Sequence, residues 1–153
     1  LGLALMFLAG FGWAKPVPVD PRYFRRPKQG MALTALAGPA SNFLLALLAV
    51  GLSRAVYQYM PYSEGSALLF NFLLYVLAPL SIGLGLFNLL PIPPLDGAKV
   101  LGALLPDRTY FGLMRYERYG MLLLLALSYL GVTGGLVSGA IYRVFEFILE
   151  LFY

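Results

Sequence analysis

The sequence predicts an all-α polytopic membrane protein, a single membrane domain over residues 1–153, and two observations carry that prediction. Residues 29–53, 65–95 and 119–142 contain no Asp, Glu, Lys or Arg, and each stretch is longer than the ~20 residues that cross a ~30 Å hydrocarbon core. Hydrophobic residues make up 60% of the chain and charged residues 12%, against roughly 45–50% and about 25% in soluble domains. Three full transmembrane helices are therefore expected, with a truncated helix before them and a short extended segment around residues 13–19.

Taken in order, the chain opens at Leu1 with LGLALMFLAGFGW, about a dozen apolar residues and too few for a span. It reads as the tail of a truncated helix. A signal peptide is not predicted, because no basic region precedes the run and no small-residue cleavage site follows it. Residues 12–30 contain four prolines, each of which removes a backbone donor and disfavours helix in the residue before it. Val-Pro-Val suits an extended edge segment near the membrane face, followed by a turn. A helix is expected over 31–57, with Pro39 kinking it or starting a new segment, and with small residues in its first half that let another helix approach.

Residues 61–65 make a short turn, and a second helix is expected over 66–90, distorted near Pro79. It must stop before Pro91, because Pro91, Pro93 and Pro94 leave almost no helical hydrogen bonding across PIPPLDG. Non-helical backbone at membrane depth is tolerated only where protein buries it or water reaches it, so this segment lies at the interface or walls a wet cavity. A short helix over 98–105 follows an Asp96-Gly97 turn. The third span covers 119–142, loosened by the glycines of 131–135, and the tail RVFEFILELFY reads as an amphipathic interfacial end.

The cations fall unevenly. Lys15, Arg22, Arg25, Arg26 and Lys28 precede the first full span, and Lys99, Arg108, Arg115 and Arg118 lie between the second and third, leaving only Arg54 and Arg143 elsewhere. The positive-inside rule makes loops 14–30 and 96–118 cytoplasmic. These clusters are accounted for as topology signals touching anionic headgroups, and the net charge of +4 does not indicate a nucleic-acid partner. The chain has no cysteine, which excludes disulfides, thiolate metal sites and a cysteine nucleophile and leaves the redox compartment open.

Asp96 is the one carboxylate beside the proline-broken, cavity-compatible segment. A charge near lipid costs at least ~2.5–3.5 kcal/mol on insertion scales, which marks it for function. An Asp-Gly pair also favours a tight turn for local hydrogen-bonding reasons. Both readings stand on composition alone.

Residues 88–97, NLLPIPPLDG, closely resemble the N-x-x-P-x-P-x-L-D-G motif of the site-2 protease family, the intramembrane zinc metalloproteases of peptidase family M50. GPASN at 38–42 resembles that family's G-P-x-x-N motif, and FGWAKPVPV at 11–19 is similar to the segment that precedes it in the shorter bacterial and archaeal members. The resemblance implies a prokaryotic cell-membrane enzyme that hydrolyses peptide bonds of transmembrane protein substrates within the lipid bilayer. It implies Zn²⁺ as cofactor, held by two histidines of an H-E-x-x-H helix and by the Asp of L-D-G, with the glutamate of that helix as general base; three protein ligands leave a fourth position for a water whose pKa falls toward ~7. Asp96 is then the metal ligand. Asn42 and Asn88 become candidates to orient the substrate backbone or stabilise an oxyanion, Pro91 and Pro93 shape the cavity, and 13–18 offers an edge for an unwound substrate. For Asn42 an interhelical hydrogen bond explains the residue equally well.

One departure is plain: the chain contains no histidine. In the family the H-E-x-x-H helix precedes the FGWAKPVPV-like segment, so the expectation is a fragment lacking that helix and inactive alone. The alternative is a non-catalytic pseudoprotease or membrane scaffold. A small transporter with Asp96 as an ion site would predict inverted repeats, and none is found.

Overall fold

The computed structural model describes residues 19–106, 108–110, 112 and 117–153, and among them all regular structure is helical. The expected extended segment around 13–19 and the truncated first helix lie outside the described residues. A 3-10 turn at Pro21–Tyr23 leads into helix α1, Pro27–Tyr59. Asp20 caps the turn, accepting the Arg22 N–H at 3.0 Å and its guanidinium at 2.8 Å. This pair holds the Asp20 carboxyl below its ordinary range.

Pro27 stands at the start of α1, where its missing N–H costs nothing. Pro39, by contrast, sits inside a continuous helix. Of the two expectations, kink or new segment, the second is not met, since the helix runs on through Pro39. Pro39 is among the most deeply buried side chains of the molecule, on a stripe with Ala32, Ala35, Ala46, Ala49 and Ser53 that repeats alternately at three and four residues. That spacing keeps one face of a helix against its neighbours, and small residues on it let backbones approach.

Helix α2, Glu64–Asn88, returns antiparallel to α1. Ser63 and Ser66 form a reciprocal capping box at its start. Its π turn at Phe72–Leu77 has the Ala78 N–H bonded to Leu73 O, five residues back. Pro79, next in the chain, has no N–H to give, so the ladder shifts register immediately before it. With 33 and 25 residues, α1 and α2 are long and apolar enough to cross a membrane. Their packed faces carry the small residues, while Leu44, Leu48, Leu52, Leu68, Leu80 and Leu84 point outward and are exposed, the arrangement expected of helices whose surroundings are lipid.

Helix α3 is Asp96–Leu104, α4 is Glu117–Tyr129 and α5 is Val132–Phe152. The expected third span is thus not one helix: it is divided at Leu130–Gly131, where Gly131 has φ 72°, a left-handed conformation that glycine adopts freely. Helix α4 is about 20 Å long, short of a hydrocarbon core, and α5 carries Arg143, Glu146 and Glu150. Helix α5 crosses the hairpin: Ile148 joins Ala46, Ala49, Val50, Leu73, Leu74, Ala78 and Ile82 in the core. Glycines mark its closest approaches, because a Cβ on Gly83 would lie 3.1 Å from Ile141 and one on Gly51 3.0 Å from Phe152.

Candidate functional site

The polyproline segment joins α2 to α3. Helix α2 ends at Asn88, as the prolines require, and Leu89 closes it with its N–H on Gly85 O and Leu86 O. The Leu95 N–H bonds to Ile92 O at 2.9 Å, and the Pro93–Pro94 peptide is cis. Pro91 is exposed and Pro93 buried, so only Pro93 walls the interior; Gly120 of α4 lies against its backbone with no space for a side chain. Gly97 is packed on the Leu89 and Leu90 carbonyls in the same way. The loop is thereby folded back onto the end of α2.

Asp96 is the first residue of α3, not part of a turn ahead of a helix starting at 98. A carboxylate in the first turn is favoured by the helix dipole and the unpaired amides there. Oδ1 accepts Lys99 Nζ at 3.1 Å, one turn along the same helix. Oδ2 faces α1, where a Cβ on Gly38 would lie 3.4 Å from it. The two conspicuous motifs of the sequence, GPASN and LDG, therefore meet in space. The Asp96 side chain keeps 31% of its exposure, so the carboxylate is reached from outside the helix packing.

The two asparagines sit near this point without touching it. Phe43 packs its ring on Gly85, which pins α1 against α2. Asn42 precedes Phe43, and Asn88 lies one turn past Gly85, so both fall between that pin and the Gly38–Asp96 contact. Asn88 Nδ2 donates to Leu84 O at 2.9 Å, within its own helix. Asn42 is half-buried on the small-residue stripe. The structure brings Gly38, Asp96 and Pro93 into one region and places Asn42 and Asn88 at its edge.

Two contacts were not foreseen from the sequence. The Asp96–Lys99 pair was signalled by its i, i+3 spacing. Lys28 was not: its Nζ donates to Leu105 O at 2.5 Å and lies 5.6 Å from the Tyr110 ring, tying the start of α1 to the end of α3. No local pattern reports a contact between residues so far apart in the chain.

A zinc ion with three protein ligands needs two donors besides Asp96. The chain has no histidine and no cysteine, and no group of three His, Cys, Asp or Glu side chains converges among the described residues. The described residues therefore do not by themselves gather a three-ligand zinc site around Asp96.

A hairpin of two helices long and apolar enough to cross a membrane, with a motif-borne carboxylate set against the small-residue face of the first, defines a class, that of helical proteins with membrane-compatible spans. The comparisons make the class specific. The model of peptidase family M50 matches residues 55–130. A Bacillus subtilis (strain 168) protein named "Putative zinc metalloprotease YwhC" is 36% identical over 131 residues, covering 82% of this chain and 58% of that protein. Proteins named "Putative zinc metalloprotease Rip2" are 30% identical over 149 residues, from Mycolicibacterium smegmatis (96% of this chain, 55% of that protein) and from Mycobacterium tuberculosis strain H37Rv (95% and 54%). No solved structure gives a significant match. The chain belongs to peptidase family M50, the site-2 protease family. It spans a little over half the length of the relatives it matches.

Proposed function

We propose that this chain is the part of an intramembrane zinc metalloprotease that supplies one metal ligand, Asp96, and the helices that receive the substrate. The observation that carries the reading is the meeting of GPASN and LDG: Gly38 leaves open the space in front of Asp96 Oδ2, while Lys99 occupies Oδ1. A ligand oxygen fixed by a helix start and a neighbouring cation, and facing free space, is suited to metal binding. Zinc, once completed by donors this chain lacks, supplies the activated water. Asn42 and Asn88, at the same level of the hairpin, are assigned to hold the substrate backbone, and Pro91 and Pro93 to shape the rim. The substrate is a membrane-embedded segment of another protein, and loops 14–30 and 96–118 face the cytoplasm of a prokaryotic cell. With one donor, the 153-residue chain alone is inactive.

The test is Asp96→Ala in the whole protein. Cleavage of a membrane substrate is expected to be lost and zinc content to fall, with the protein still in the membrane; undiminished cleavage sinks the ligand assignment. The absence of histidine favours a second reading, a non-catalytic scaffold that keeps the substrate helices. Protease activity in the whole protein that a chelator abolishes and zinc restores decides against it.

A further inference from the structure

The end of the hairpin away from Asp96 carries a cavity of about 530 Å³ between α1 and α2, within the ~300–1,000 Å³ of ligand sites. Val56, Tyr57, Met60, Ala67 and Phe70 give it apolar walls, with Asn71 as a polar group among them. Beside it stands Arg54, the only cation of the α1–α2 turn region. Its guanidinium lies 5.9 Å from the Tyr57 ring and 5.1 Å from the Tyr153 ring, and the Tyr153 and Ser53 hydroxyls are 3.2 Å apart. Tyr57 is thus a wall of the cavity and of the cation's cage at once. Among the described residues the ion pairs are Asp20–Arg22 and Lys99–Asp96, so Arg54 has no carboxylate; Glu64, the acid nearest in sequence, does not reach it.

We propose that this cavity takes an acyl chain of an anionic phospholipid whose phosphate sits on Arg54. The inference rests on the membrane reading above. An arginine near the end of a span that is held by aromatic faces and has no acid partner is placed to meet a headgroup, and the apolar space beside it matches the chain that accompanies one. A net-anionic headgroup complements the single cation. A zwitterionic one brings its own ammonium, which competes for the same tyrosine faces.

The full chain in maltoside micelles, mixed with palmitoyl-oleoyl phosphatidylglycerol or phosphatidylcholine, is examined by native mass spectrometry. One retained phosphatidylglycerol is expected, held at least fivefold better than phosphatidylcholine, with Arg54→Gln abolishing the difference. Ala67→Trp, which fills the cavity and leaves Arg54 in place, is expected to cost as much retention, and carries the test should the Arg54 variant not fold. Equal retention of the two lipids, unchanged retention in both variants, or displacement of the lipid by inorganic phosphate at equal concentration overturns the proposal. Alkaline carbonate extraction of the wild-type chain is scored separately: release from membranes refutes the membrane reading itself, whatever the lipid result.

Discussion

Gly38 and Asp96 face each other across α1 and α3 so closely that a methyl group on Gly38 would rest 3.4 Å from Oδ2. That is ordinary van der Waals distance, so Gly38→Ala is expected to fold and to retain much of the whole protein's activity. Gly38→Leu places further carbons where the carboxylate stands. A displacement of about 1 Å is worth on the order of 10²-fold in rate, and that loss is the expected result in a cleavage assay, with thermal stability of the purified protein near wild type. Full activity in Gly38→Leu would show that the space in front of Asp96 is not used.

Gly97 presents a different limit. Its Cα is packed against the Leu89 and Leu90 carbonyls, which are backbone and cannot swing aside. Gly97→Ala must therefore open the loop that returns from α2 to α3, and overpacking of this kind costs about 1–3 kcal/mol. Thermal unfolding in detergent is expected to show that loss in the 153-residue chain, with no need of metal or substrate.

How much of this was legible in the sequence depends on what each feature obeys. Proline chemistry is local, so the stop after Asn88 and the register shift ahead of Pro79 follow from Pro91 and Pro79 alone. Uncharged length is also local, and it correctly found α1 and α2. It does not distinguish one helix from two, and so the stretch 119–142 was expected to be continuous when Gly131 divides it. Pro39 was expected to kink α1 or to start a new segment; no new segment starts there, and the helix runs on through Pro39, which is buried among small residues. Gly38 beside Asp96 and Lys28 on Leu105 O are long-range contacts. Motif resemblance assigned GPASN and LDG to one enzyme's machinery without naming the first contact, and nothing in the sequence pointed to the second.

Lys99→Met separates orientation from stability. The pair with Asp96 is half-exposed and spans one helical turn, a setting in which ion pairs contribute about 0.2–0.5 kcal/mol. The melting temperature of the variant is therefore expected to stay within about two degrees of wild type. A large drop would mean that the pair holds α3 in place and does not merely orient its first residue.

At Asp20 the sign of the pH effect follows from the pair with Arg22, which lowers the folded-state pKa of the carboxyl. Such a group contributes stability above its unfolded pKa, near 3.9, and loses it as the pH falls through the lower folded value. Arg22 is largely exposed and Asp20 partly so, so the contribution is confined to the turn ahead of α1. Asp20→Asn is expected to leave the global unfolding midpoint unchanged at pH 7 while speeding amide exchange at Arg22, whose N–H the carboxylate accepts.

The orientation of the hairpin is open to direct measurement because the chain has no cysteine, so each introduced thiol is the only one in it. Tyr23, Tyr62 and Leu104 are strongly exposed. Tyr62 lies at the α1–α2 turn, at the far end of a helix some 50 Å long from Tyr23, whereas Leu104 is held at the Tyr23 end by the Lys28 bond to its neighbour Leu105. In intact cells a membrane-impermeant maleimide is expected to label Tyr62→Cys and to spare Tyr23→Cys and Leu104→Cys until the membrane is opened. The reverse pattern would invert the proposed topology, because the basic residues flanking Tyr23 would then lie outside. Labelling of Tyr23→Cys and Leu104→Cys on opposite sides would contradict the fold itself, since α1 and α3 share that end.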